Sequence, residues 1–278
     1  MKKRRVFSMA WMVATFLIVV GCSQGTPPNP SATSPESVEI TVSAAASLQD
    51  AMKAIAPLYT QEQANVIITY NFGSSGSLQQ QIEQGAPVDV FLSAAPKQMN
   101  ALQEKDLLLT DTRKDLLKNS IVLVTPKDKT DISNFKGLTT DKVSKVAIGD
   151  PESVPAGQYG KEVLTSLNLY KPIQDKLVFA KDVRQVLSYV ETGNVEAGLV
   201  YATDANVSDN VKVVATASET SHAPIIYPVA VLKESKYPDS AKAFVQFLST
   251  EPAKAVFEEY GFSLASDQQL KGLKYLSN

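Results

Sequence analysis

Glu39–Glu62 reads EITVSAAASLQDAMKAIAPLYTQE, and two hydrophobic periods meet inside it. In EITVS (39–43), Ile40 and Val42 alternate with polar residues, the period of a strand with one buried face. From Leu48 to Glu62 the apolar residues fall at Leu48, Ala51, Met52, Ile55, Leu58 and Tyr59, the three-and-four spacing of an amphipathic helix. Ser47 stands between the two, where a helix N-cap belongs, and Asp50 three residues on gives the spacing of a capping box. A strand that hands over to a helix in this way is the repeating unit of an α/β fold.

The same alternation continues in both directions of the argument. Asn65 to Phe72 reads as a second strand, Leu78 to Gln84 as a short helix closed by Gly85, and Pro87 to Ser93 as a third strand. A helix over Lys97 to Glu104 and the strand IVLVT (121–125) follow. Further strands are expected at 143–148, 195–201, 211–215 and 225–232, with a helix from Gln158 to Leu167 and two more at 239–248 and 252–260. The expectation is an α/β fold with mostly parallel sheet, arranged either as one doubly wound sheet or as two lobes.

Open α/β sheets bind ligands beyond the carboxyl ends of their strands, where helix N-termini offer unpaired N–H groups to anions. Five strand-to-helix junctions carry the residues suited to this. The first holds Ser47. The second is FGSSGSL (72–78), whose small residues permit close backbone approach and whose serines offer hydroxyl donors. It lacks the Lys-Ser/Thr ending of a phosphate loop and the second glycine of a nucleophile elbow. The third is GDPESVPAG (149–157), in which Pro155 fits the first turn of a helix and leaves amides near Ala156 and Gly157 free. Asp182-Val183-Arg184 starts another helix, and Tyr201 ends the strand GLVY.

The composition argues against several other chemistries. Nucleophilic or acid–base catalysis draws on His, Cys or a tuned carboxylate, and the chain has one His and one Cys. His222 falls in an expected loop and reads as solvent-exposed, while Ser47 and Ser75 have no base in view, so no enzyme is expected. Asp89, Asp150, Glu152, Asp182 and Asp204 are scattered without the spacing of a calcium loop or zinc site, and Asp50, Asp150 and Asp182 read as caps.

The first residues are expected to be targeting sequence. Lys2, Lys3, Arg4 and Arg5 precede an uncharged apolar run from Val6 to Val20, short for a bilayer span and suited to a signal peptide. It ends in Val19-Val20-Gly21-Cys22, which resembles the lipobox of bacterial lipoproteins; that resemblance implies cleavage after residue 21 and a lipid on Cys22, the chain's only cysteine. Residues 22–37, rich in Pro, Ser and Thr, read as a disordered tether. Loss of residues 1–21 moves the formal net charge from −2 to −6, a poor balance for nucleic-acid binding.

AAASL (44–48), GSSGSL (73–78), GAPVDVFLSA (85–94), GDPESVPAG (149–157), DVR (182–184), GLVYATDA (198–205), YPVAV (227–231) and EEYGF (258–262) occur in this order. Together they resemble the periplasmic molybdate-binding proteins of ABC importers, over about Glu39 to Phe262. The resemblance implies a two-lobed periplasmic-binding-protein fold of type II with a doubly crossed hinge. Lobe one would comprise 38–121 and 225–278, lobe two 122–224, with the ligand in the cleft. It implies molybdate or tungstate held by Ser47 and Ser75 from lobe one, and by the amides of Ala156 and Val183 and the hydroxyl of Tyr201 from lobe two. It further implies a monomer with no cofactor and no metal site beyond the oxyanion, lipid-anchored outside the cytoplasm. The importer's permease and ATPase would be its partners. Gly76 departs from the commoner pattern, in which a third serine often follows Ser75, and this bears on the stiffness of the loop.

None of these five residues is charged, so a dianion would be stabilised by dipoles and hydrogen bonds. A set of donors rejects an anion that keeps a proton, such as hydrogen phosphate, and leaves sulfate, the alternative ligand, to be excluded by size. A metal-cation receptor is the more distant alternative.

Overall fold

The computed structural model describes residues 37–129 and 131–265. The expected leader, Cys22 and the tether up to Glu36 fall outside the described residues. The chain runs through β1 (Val38–Ala45), a 3-10 turn (Ala46–Leu48), α1 (Gln49–Glu62), β2 (Val66–Gly73), α2 (Ser75–Glu83), β3 (Val90–Leu92), α3 (Pro96–Glu104) and β4 (Leu108–Lys118). It then enters β5 (Ile121–Pro126), β6 (Val146–Gly149), α4 (Pro155–Ser166), β7 (Leu177–Ala180), α5 (Val183–Glu191), β8 (Ala197–Tyr201), α6 (Ala202–Asn206) and β9 (Val211–Thr216). It returns through β10 (Ile226–Leu232), α7 (Pro238–Phe247), α8 (Glu251–Glu259) and β11 (Ser263–Leu264).

Two sheets result, in the orders β11-β4-β10-β3-β1-β2 and β7-β6-β8-β5-β9. Each is the centre of one lobe. Asn119 and Ser120 carry the chain from the first sheet to the second, and residues 217–225 carry it back. The fold is α/β, as the strand–helix alternation led us to expect, and two-lobed with a doubly crossed hinge, as the family resemblance implied.

The sheets are mixed, not mostly parallel. β1 pairs in parallel with β2 and β3, and β6 with β7 and β8, because helical crossovers join these strands. β10 runs antiparallel to β3 and β4, β11 to β4, and β5 to β8 and β9. β5 and β10 are the strands that enter a sheet from the hinge, and such a connection imposes no parallel direction. β4 and β7 were not legible as strands. In LLTDTRKDLLK charged residues interrupt the apolar run, and β7 lies at a sheet edge with Phe179 half exposed.

The parallel register is what places the junctions together. Ala45 on β1 lies beside Gly73 on β2, and Ala44 lies beside Leu92 on β3, so three strands of the first sheet end at one level. In the second sheet Gly149 on β6 lies beside Ala180 on β7. The helices hold these ends by burial. Met52, Ile55 and Tyr59 of α1 are buried in one core cluster with Ile40, Val42 and Ala44 of β1, and Tyr59 meets the ring of Phe244 at 5.0 Å. Leu78, Ile82, Phe91 and Met99 form a second cluster on the other face. Each large side chain so buried contributes about 1.5–3 kcal/mol. In the second lobe α4 sits so close to β6 that a Cβ on Gly157 would lie 1.9 Å from the Gly149 carbonyl oxygen, so this helix start admits only glycine.

The lobes are tied by one cation. Arg184 of α5 places Nη2 2.6 Å from Asp50 Oδ2, across the cleft on α1, and Nε 2.7 Å from Asp204 Oδ1 on its own lobe. These atoms are at ion-pair distance without the alignment of hydrogen bonds. Asp50 therefore serves an interlobe ion pair and not the capping box expected of it.

Asp204 is fully buried, and its carboxyl is raised from the ordinary 3.8 to about 6, chiefly by desolvation and against the pull of Arg184. Between those pH values the folded chain keeps a proton that the unfolded chain releases. Its contribution to stability therefore falls as pH rises from about 4 to about 6, by about 3 kcal/mol in all, and is level above that. Urea unfolding of the wild type and Asp204→Asn across this range measures it. The wild-type minus variant difference should fall with rising pH, and a flat difference contradicts the assignment.

Candidate functional site

Between the lobes, the turn after β1 and the N-termini of α2, α4 and α5 converge on a cavity of about 10 Å³, the scale of one water or small ion. Ser47, Ser75, Ala156, Val183 and Tyr201 all line it, together with Ala45, Ala46, Gly73, Ser74, Ala94, Val154 and Pro155. No lining residue carries a formal charge.

Ser75 opens α2, and Ser74 caps it by accepting the Ser77 N–H at 3.2 Å. The helix thus begins three residues before the expected Leu78, and Gly76 lies in its first turn, not in a loose loop. Ser75 is fully buried, and its Oγ accepts the Ala94 N–H at 2.9 Å. A hydroxyl whose oxygen is occupied in this way has its proton left to donate.

Ser47 lies within the 3-10 turn and does not cap α1; Leu48 occupies the cap position without a side-chain bond. Its Oγ instead lies 2.9 Å from the hydroxyl of Tyr227. Tyr227, on β10, is a residue the sequence reading passed over, although YPVAV was among the quoted motifs. Its hydroxyl also receives Asn119 Nδ2 at 3.2 Å.

From the second lobe, Ala156 stands behind Pro155 in the first turn of α4, and Val183 is the first residue of α5. Amides at these positions have no intrahelical acceptor, and the helix dipole adds partial positive charge. Gly157, also expected to be free, donates to the Val154 carbonyl at 2.9 Å. Asp182 caps α5 as expected, accepting the Gln185 N–H at 2.8 Å. Asp150 closes a turn by accepting the Glu152 N–H at 3.1 Å and caps no helix. Tyr201 ends β8 with its hydroxyl 3.5 Å from the Ala94 carbonyl, a long contact that leaves the proton available. Burial raises the Tyr201 and Tyr227 hydroxyls well above their ordinary range, so both stay protonated at any physiological pH.

Across the cleft the Gly76 N–H donates to the Ser153 carbonyl at 3.0 Å, so backbone meets backbone at the rim. His222 is half-buried, contrary to expectation, with its ring 5.9 Å from that of Tyr159. It does not line the cavity. Among the described residues no three His, Cys, Asp or Glu side chains group closely enough to hold a metal ion.

The sequence profile of bacterial extracellular solute-binding proteins matches residues 40–263. A Bacillus subtilis protein, YvgL, provisionally named as an ABC transporter substrate-binding lipoprotein, is 46% identical over 94% of this chain and 98% of its own length. The molybdate-binding protein ModA of Haemophilus influenzae is 42% identical over 82% of this chain and 91% of its own. Among solved structures, the substrate-binding domain of a provisionally assigned molybdenum ABC transporter from Clostridium difficile superposes with a TM-score of 0.65. It is 53% identical, covering 82% of this chain and 99% of that one. On the profile match and on relatives aligned over nearly their whole length, the chain belongs to the bacterial extracellular solute-binding proteins.

Proposed function

We propose that the protein captures molybdate or tungstate outside the cytoplasm and delivers it to an ABC importer. The observation that carries this reading is a small, uncharged interlobe cavity on which three helix N-termini converge, with Ser75 turned to donate because its oxygen accepts the Ala94 amide. The hydroxyls of Ser47, Ser75 and Tyr201 and the amides of Ala156 and Val183 are the contacts. Each hydrogen bond to a charged ligand contributes roughly 1.5–3 kcal/mol. A cation would face the positive ends of three helices and no carboxylate there, and a proton-bearing anion would bring a donor to a lining made chiefly of donors.

The names of the Haemophilus relative and of the Clostridium structure support molybdenum oxyanions as the ligand class. The lipoprotein name of the Bacillus relative supports the reading of Cys22 as a lipid anchor on the outer side of the membrane. The importer's permease and ATPase are the partners in this reading. In this reading the protein acts as a monomer that binds and releases its ligand, with no cofactor and no catalytic step assigned to it.

Closure follows from Gly76. A Cβ at this position would lie 2.4 Å from the Ser153 carbonyl oxygen, which is backbone and cannot swing aside. Glycine in place of a serine therefore lets the lobes meet fully, and a larger residue holds them apart.

Three outcomes are expected. In a thermal-unfolding panel of the purified protein, molybdate and tungstate raise the midpoint while phosphate and divalent cations do not. Sulfate doing as well as molybdate would keep the class and change the ligand, and stabilisation by a cation alone would end the reading. Calorimetry on Ser75→Ala should show molybdate affinity reduced roughly 10- to 150-fold, one charged hydrogen bond; unchanged affinity in a folded variant removes Ser75 from the site. Gly76→Ala should weaken molybdate binding and contract less on saturation in small-angle scattering. Wild-type contraction in that variant would refute the role given to Gly76.

A further inference from the structure

The side-chain hydrogen bonds of Asn119 are fully used. Its Oδ1 accepts the Ser120 N–H at 2.9 Å, which fixes the amide so that Nδ2 faces the other way. Nδ2 then donates to Thr203 Oγ1 at 2.8 Å and to the Tyr227 hydroxyl at 3.2 Å. Both of its protons are used, one toward each lobe.

The Tyr227 hydroxyl, having accepted from Asn119, has a single proton to place. Ser47 Oγ is 2.9 Å away. Tyr227 and Ser47 are both buried, so an unplaced proton is costly. Were Ser47 to donate to Tyr227, the phenol would accept twice, its own proton would have to turn to the neighbouring Tyr201 hydroxyl, and Ser47 would have no proton left for the cavity. The arrangement that leaves the Ser47 proton for the cavity runs from Asn119 to Tyr227 to Ser47. Ser75 is turned the same way by a backbone amide, that of Ala94. Ser47 receives its orientation from side chains instead.

We propose that Asn119, in the first hinge crossing, acts through the Tyr227 hydroxyl to hold Ser47 as a hydrogen-bond donor to the bound oxyanion. Asn119 and Tyr227 are positioning residues that need not touch the ligand. The inference rests on the oxyanion reading given above, and it makes the hinge crossing part of the ligand site. Chains of hydrogen bonds polarise one another, so the relay also strengthens the Ser47 bond.

A double-mutant cycle tests it, with molybdate as the probe and calorimetry as the readout on the purified protein. Tyr227→Phe keeps the ring and its edge-to-face contact with Tyr201 and removes only the hydroxyl. It should lower affinity about tenfold or somewhat less, the scale of one hydrogen bond. Asn119→Ala should give a loss of the same order. In a Ser47→Ala background, Tyr227→Phe should cost less than about twofold more, because the hydroxyl it orients is gone. A packing role would carry its full loss into that background, and losses that multiply in full overturn the relay. So does wild-type affinity in folded Tyr227→Phe. Should Tyr227→Phe not fold, the cycle of Asn119→Ala with Ser47→Ala supplies the same comparison. A wild-type protein that binds no oxyanion removes the functional reading and the relay with it. A wild type that binds, with independent losses in the cycle, removes the relay alone.

Discussion

A doubly charged anion surrounded by neutral groups can be held only by hydrogens, so each hydroxyl or amide that faces it must have a proton left to donate. That constraint accounts for the contacts around the cavity. The Ala94 amide occupies Ser75, and the Tyr227 hydroxyl lies where it can occupy Ser47. Asp182 takes the Gln185 amide at the start of α5 and leaves that of Val183 free of it. Burial keeps the tyrosines protonated. The nearby formal charges, Arg184 with Asp50 and Asp204, pair with one another outside the lining and meanwhile tie the lobes together.

The fold serves this constraint through register. Parallel strands joined by helical crossovers end at one level, so the helices that follow them start at one level too. Antiparallel strands entering from the hinge complete each sheet and set the two sheet ends facing each other. Tyr227 arrives at the site on such a strand, and Asn119 lies in the hinge itself. The close approaches at Gly157 and Gly76 belong to the same economy of space: one seats a helix start on its strand, and the other lets the lobes touch.

The sequence was legible where a signal is local. Apolar periods of two and near 3.6 marked most strands and helices, and small-residue junctions marked the five lining residues that the structure brings to one cavity. It was silent where the cause is distant. Ser47 has the spacing of a cap, yet its partner is Tyr227, 180 residues away. Asp50 has the spacing of a capping box, yet its partner is Arg184 in the other lobe. The charged strand β4 and the mixed strand directions depend on tertiary pairing that no window of the chain displays. Gly76 was visible as a departure from the family pattern, but its reason is the Ser153 carbonyl across the cleft.

The central claim is that neutral donors alone hold the ligand. A crystal structure grown with molybdate, with the metal located by anomalous scattering, tests it most directly. The account expects one tetrahedral ion in the interlobe cavity, its oxygens bonded by Ser47, Ser75 and Tyr201 hydroxyls and by the Ala156 and Val183 amides, with no carboxylate or cation in contact. An ion seated elsewhere, or one held by a charged side chain, would contradict it.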